Sequence, residues 1–192
     1  MGLQVDETLI KECLKNSRQA QKQLYKDCFN SLIHICMRYT NSDLDARALF
    51  NNGFLKICQN LKKYKTEVPF HVWAKRVLIN SIIDEYRKNK RYKDVIAMRE
   101  HDYELENHSK YSDNDVLKEH ESENAAFLLR ELPETTRKVL NLYIFDGYNH
   151  REIGEILQIS ENTSRWHLHN GKMRLKKLLE NREPRKSMNV AI

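Results

Sequence analysis

Asn162, Arg165, Trp166 and His169 recur at helical intervals in the stretch ISENTSRWHLHNGKMRLKKLLE, residues 159–180. At about 100° per residue they fall on one side of a helix. An amide, a guanidinium, an indole and an imidazole on one face suit the edges of bases, and Arg165 has the fork to bond two acceptors of one guanine. Lys172 and Lys176 flank that face, where point charges meet phosphate. Ser164, Leu168, Gly171, Leu175 and Leu178 lie nearly opposite, and being small or apolar they form the packing side. Trp166 therefore points away from the core that this helix would make. Alone it proves little, because single exposed apolar residues are common.

A second set lies upstream. Trp73, Arg76, Asn80, Asp84 and Arg87 fall within about 80° of arc on a helix. Tyr64, Lys65 and Phe70 sit in or beside the loop that precedes it. Aromatic platforms among cations suit the unstacked bases of a single strand. Taken alone, this helix leaves open the alternative that Trp73 is core and its polar neighbours are merely solvated.

No constellation for bond chemistry appears. There is no phosphate-binding loop, no HExxH and no Ser/His/Asp grouping that spacing justifies. His167 and His169 are two residues apart, so on a helix they diverge by about 200° and cannot share a metal. No metal and no cofactor is expected, and the chain does not read as an enzyme.

The elements that must position these residues are helices. Three prolines and five glycines in 192 residues leave little punctuation, and strand alternation is absent, so the expected class is all-α. Residues 5–40 read as one long helix or two. Ser42 or Asp43 then caps a helix whose stripe is Leu49, Phe50, Phe54, Ile57 and Leu61. A loop ends at Pro69, and residues 70–88 form a strong third helix. Pro133 suits a helix start and Gly147 a helix end. Residues 149–160 read as a short amphipathic helix with Ile153, Ile156 and Leu157 inward, then a tight turn at Gln158–Ile159, then Ser160 as the next cap. That is a helix-turn-helix pattern, with Gly154 where a small residue permits close approach. The start of the second helix in such a unit enters the major groove.

Charge divides the chain in three. Residues 1–93 carry 18 basic and 9 acidic side chains, residues 94–123 carry 3 and 10, and residues 124–192 carry 12 and 8. Two basic modules joined by an acidic connector imply two nucleic-acid contacts and a linker that avoids them. The expected organisation is a helical domain over 1–92, a flexible acidic linker over 93–123, and a helix-turn-helix domain over 124–192 with a short polar tail. Cys13, Cys28, Cys36 and Cys58 form no CxxC pair and read as buried free thiols. No signal peptide or membrane-length apolar run is visible, so a cytoplasmic protein with no membrane insertion is expected.

The stretch FHVWAKRVLINSIIDEYRKNKR resembles a motif of the sigma-70 family, matching it at Phe70, Trp73, Asn80, Asp84, Arg87 and Arg91. LPETTRKVLNLYIFDGYNHREIGEILQISENTSRWHLHNGKMRLKKLL is similar to the family's C-terminal helix-turn-helix module. The pair, in this order and with this gap, resembles the short two-domain extracytoplasmic-function (ECF) sigma factors. The likeness covers roughly residues 20–92 and 124–180. It implies a transcription initiation factor that binds core RNA polymerase and directs it to specific promoters. The first domain would assist melting of the −10 element through Lys65, Phe70, Trp73, Arg76, Asn80 and Arg87. The second would read the −35 duplex through Asn162, Arg165, Trp166, His169, Lys172 and Lys176. Leu49, Asn51, Asn52 and Phe54 would contact the polymerase, and an anti-sigma factor is a candidate further partner. The sequence departs from the family at Arg47, Ala48 and Asn51, where acidic and amide residues are usual, and at Gln158, where glycine is. The competing reading is a stand-alone helix-turn-helix regulator, which leaves the aromatic and basic stripe of residues 70–88 unexplained.

Overall fold

The computed structural model describes residues 5–99 and 127–182 of the 192. Every regular element among the described residues is helical. The helices are α1 (Glu7–Leu14), α2 (Arg18–Tyr39), α3 (Asp43–Asn60), α4 (Phe70–Arg99), α5 (Glu134–Leu140), α6 (His150–Leu157) and α7 (Glu161–Arg182). They form two domains, α1–α4 and α5–α7.

The N-terminal segment resolves into two helices. Asn16 adopts a left-handed φ of 64°, a conformation asparagine tolerates better than most residues. Ser17 then caps α2, its hydroxyl accepting from the Ala20 amide. Ser42, rather than Asp43, caps α3 by accepting from the Asp45 amide at 3.1 Å. Leu24, Cys28, Ile35, Phe50, Ile57 and Leu78 are fully enclosed or nearly so, and make the core where α2, α3 and α4 meet. The α3–α4 approach needs Gly53, because a Cβ there would lie 2.1 Å from Leu78 Cδ1. All four cysteines are free thiols; three are buried and Cys58 is half-buried. Burial pushes the Cys28 and Cys36 thiols up to about 12, so they act as small apolar groups.

The helix α4 continues through Arg99, past the expected start of the linker at residue 93. The linker from residue 100 onward and the tail beyond 182 lie outside the described residues.

In the C-terminal domain, α5 follows Pro133 and widens into a π turn over Asn141–Phe145. Gly147 closes it with φ 80°. Val139, Leu140, Leu142, Ile153 and Leu157 form the core.

The two domains lie against each other. Asp146, with no exposed side-chain surface, pairs with Arg38 at 3.4 Å and Lys75 at 3.7 Å. It also accepts from the Tyr39 hydroxyl, and burial beside this carboxylate pushes that phenol well above its ordinary range. Asn141 donates to the Arg38 carbonyl at 2.7 Å, and Arg137 to Asn41. The Lys138 ammonium sits 3.7 Å from the centre of the Tyr86 ring.

Candidate nucleic-acid interface

The helix-turn-helix is held by local chemistry. Asn149 and Glu152 form a reciprocal capping box at the start of α6, satisfying amides that the first turn leaves open. Gln158 ends the helix in the left-handed region, φ 55° and ψ 50°. Glycine is usual at such a site because it lacks the Cβ that strains this backbone. Ser160 then caps α7, accepting from the Thr163 amide at 3.0 Å. Gly154 serves the turn rather than a helix-to-helix contact: a Cβ there would sit 2.8 Å from the Ile159 carbonyl oxygen.

The packing side of α7 is the expected one. Ser164, Leu168 and Gly171 are buried, and Leu175 and Leu178 are half-buried. A Cβ on Gly171 would meet Leu140 Cδ1 at 2.4 Å and Thr136 Cγ2 at 2.9 Å. Two imidazoles fasten this side. His150 Nδ1 lies 3.0 Å from the Ser164 hydroxyl, while its ring stacks on Tyr143 at 4.6 Å. His167 Nδ1 lies 2.9 Å from the Thr136 hydroxyl. Desolvation holds both imidazoles below their ordinary value, with Arg165 adding to the effect at His150.

The opposite side faces solvent. Asn162, Arg165, Trp166, His169, Lys172 and Lys176 are all exposed, Trp166 to 59%. The Arg165 guanidinium rests on Glu161 one turn back, and Lys176 lies 3.8 Å from Glu180. Both are exposed pairs of little strength, so both cations are available to a stronger anion.

On the N-terminal domain, Tyr64, Phe70 and Trp73 pack with ring centres 5.2–5.5 Å apart. The Tyr64 hydroxyl donates to the Val68 carbonyl at 2.9 Å, closing the loop. Tyr64 and Trp73 are half-exposed, whereas Phe70 is only 4% exposed. The expectation that Phe70 stacks on a base is corrected by its burial: it is the floor beneath the other two rings. Lys65, Arg76, Asn80 and Arg87 are exposed. The Tyr148 hydroxyl, from the C-terminal domain, donates to Asn80 Oδ1 at 3.5 Å.

Residues expected to meet the polymerase lie on α3. Asn51 and Asn52 are exposed, and Asn51 accepts from the Tyr25 hydroxyl at 2.9 Å. Leu49 and Phe54 are half-buried, with Phe54 edge-on to Tyr25 at 5.1 Å. The apolar residues that stand out on this helix are others: Leu44 is 78% exposed and Leu55 57%. Sequence reasoning missed both. The signal was present, since Leu44, Ala48, Asn51 and Leu55 recur at helical intervals outside the packing stripe.

Among the described residues no group of His, Cys, Asp and Glu is placed to hold a metal ion, and no helix is long and apolar enough to cross a membrane.

Residues 24–92 match the family Sigma-70 region 2, and residues 122–175 match Sigma-70, region 4. The RNA polymerase sigma factor SigZ of Bacillus subtilis is 30% identical over 130 residues, covering 66% of this chain and 68% of that protein. The chain belongs to the sigma-70 family, in its ECF branch. The likeness to the ECF RNA polymerase sigma factor SigW of the same species runs over 183 residues at 25% identity, 90% of this chain and 98% of the relative. Among solved structures, the sigma factor RpoE of Bartonella quintana, crystallised with the anti-sigma factor NepR, aligns with a TM-score of 0.48 at 16% identity, over 84% of this chain and 98% of that one. This sigma factor is thus a transcription initiation factor with the two DNA-binding domains of its family, and the stand-alone regulator is set aside.

Proposed function

We propose that the sigma factor divides promoter recognition between its two exposed polar faces. The C-terminal domain, bounded near residue 124, reads the −35 duplex with Asn162, Arg165, Trp166 and His169, while Lys172 and Lys176 hold phosphate. The N-terminal domain, bounded near residue 92, receives displaced −10 bases on Tyr64 and Trp73, with Lys65, Arg76, Asn80 and Arg87 around them. The outer face of α3, with Leu44, Asn51, Asn52 and Leu55, docks on core polymerase, and Leu49 and Phe54 support it from beneath. The observation that carries this reading is the sidedness of α7. Its small residues are buried, and every side chain suited to bases or phosphate faces outward. The protein works in the cytoplasm, where polymerase is, and leaves phosphodiester chemistry to that enzyme. An anti-sigma factor is a further partner, as for the relative crystallised with NepR.

The test is transcription from a mapped promoter with purified core polymerase. Start-site-specific transcript must require the sigma factor, and the free protein must bind the same duplex far more weakly than the holoenzyme does. Equally tight, sequence-specific binding without polymerase would contradict it.

A further inference from the structure

The seam between the domains crosses the α4 face just described. Tyr148 reaches Asn80. Glu152 and Glu155 share a groove with Asn80, Asp84 and Arg87, and Asp146 and Glu152 share another with Lys75 and Arg76. Three carboxylates of the C-terminal domain thus face the cations offered to a single strand, where phosphates would otherwise lie. The recognition face of α7 lies elsewhere and stays exposed.

The seam is also built differently from the two cores. It is fastened by charged and amide groups: Arg38 with Asp146, Arg130 with Asp43 at 2.7 Å, Arg137 with Asn41, and Asn141 with the Arg38 carbonyl. Arg38 Nε and Nη1, Arg130 Nε, Arg137 Nε and Asn141 Oδ1 are buried without a protein partner. Removing such groups from water opposes burial, and parting the domains returns them to it. Closure is therefore a contact made to open, unlike the apolar packing within each domain.

We infer that the free sigma factor is self-masked: its C-terminal domain closes over the single-strand face of α4 while leaving the duplex-reading face free. The inference rests on the reading of that α4 face as the −10 site. Binding to core polymerase must separate the domains before strand opening is assisted. Apparent affinity for a single strand falls in proportion to the open fraction.

The test uses the full chain and two routes to opening. Asp146→Asn removes the buried charge. Asp43→Arg sets like charges against Arg130 at the surface, where folding is not at risk, and the added Arg130→Asp restores the pair. Small-angle scattering reads the radius of gyration, and fluorescence anisotropy reads binding to a labelled random single-stranded 15-mer. Both opening variants should expand the chain and bind the single strand several-fold more tightly, and the charge swap should return both readings to wild type. Duplex binding should be unchanged. Expansion without a gain in single-strand affinity overturns masking, provided that Trp73→Ala weakens binding equally in open and closed chains. No effect of Trp73→Ala in any variant overturns the −10 reading itself, and the masking with it. A wild-type chain already as expanded as the variants overturns the closed state.

Discussion

The two polar faces solve different problems. On α4, the aromatic residues are braced: Tyr64 and Trp73 rest on each other and on buried Phe70. On α7, Trp166 meets only its neighbour His167 among the aromatic rings, edge-on at 4.9 Å, and stands in solvent. Stacking an extruded base requires a ring already held in place, because a loose ring must itself be ordered on binding. A duplex brings its own order. Its groove positions an incoming helix, so adaptable side chains on a rigid rod suffice. The difference locates rigidity: in the side chains of the first domain, and in the backbone of the second.

The sharpest way to break this comparison is to remove the brace from below. Phe50 is fully buried, with its ring edge-on to Tyr25 and Phe29 at 5.5 and 5.2 Å. Phe50→Ala should destabilise the first domain by about 3–5 kcal/mol and leave the second folded. Each domain carries one of the two tryptophans, Trp73 and Trp166. Thermal melts of single-tryptophan variants will therefore show whether the loss is confined to the Trp73 signal.

Next in size is the platform itself. Trp73→Ala should impair promoter opening by about 1–3 kcal/mol for the stacked base while docking on polymerase is nearly unchanged. Permanganate footprinting alongside a polymerase pull-down separates the two. Normal opening by a variant that falls off the polymerase would make this face a protein contact.

On α7 the effects should divide by chemistry. Arg165→Ala should relax discrimination at a single −35 base pair by about 1–3 kcal/mol. Lys176→Ala should weaken all sequences alike and lower the salt slope by about one. Holoenzyme competition between single-base −35 variants across a salt series tells them apart. If Arg165→Ala lowers affinity for every variant equally, the guanidinium is a phosphate contact.

The smallest effect is acid sensitivity. His150 and His167 both fasten α7, and desolvation holds both below 6.5 in the folded chain. The unfolded chain therefore takes up protons first. Stability of the second domain is full above about pH 6.5 and declines as pH falls through that value toward the folded ones. Its melting temperature, read at Trp166 in a Trp73→Phe background, should fall by a few degrees from pH 7.5 to 5.5, and His150→Asn should flatten the profile. His34 gives the first domain the same sign, through desolvation and then Arg38 and Lys75. A pH-independent melt of the second domain would show that the imidazoles do not hold α7.

What the sequence made legible follows the range of the forces involved. The helix-turn-helix could be read because Asn149, Gly154, Ser160 and the small side of α7 act within a few turns of themselves. Helical periodicity separated the exposed from the packing residues there, and the structure agrees at each. The break after Cys13 was harder, since Asn16 and Ser17 end one helix and start another without proline or glycine. Phe70 was misplaced because its position beside cations says nothing of the pocket that α4 and the loop make beneath it. The closure of the domains could not be read at all. Asp146 and Arg38 are 108 positions apart, and nothing local marks an arginine as half of a buried pair.

That separation has a consequence in time. A ribosome releases the N-terminal domain first, and its helices pack on sequence neighbours, so it can condense early. Arg38, Tyr39 and Asn41 then wait for partners that have not been synthesised. At roughly 5–20 residues per second, the interval before Asp146 is made is on the order of 5–20 s. Every newly made molecule thus passes through a youth in which its first domain is complete and uncovered, a state that the finished chain must be opened to regain.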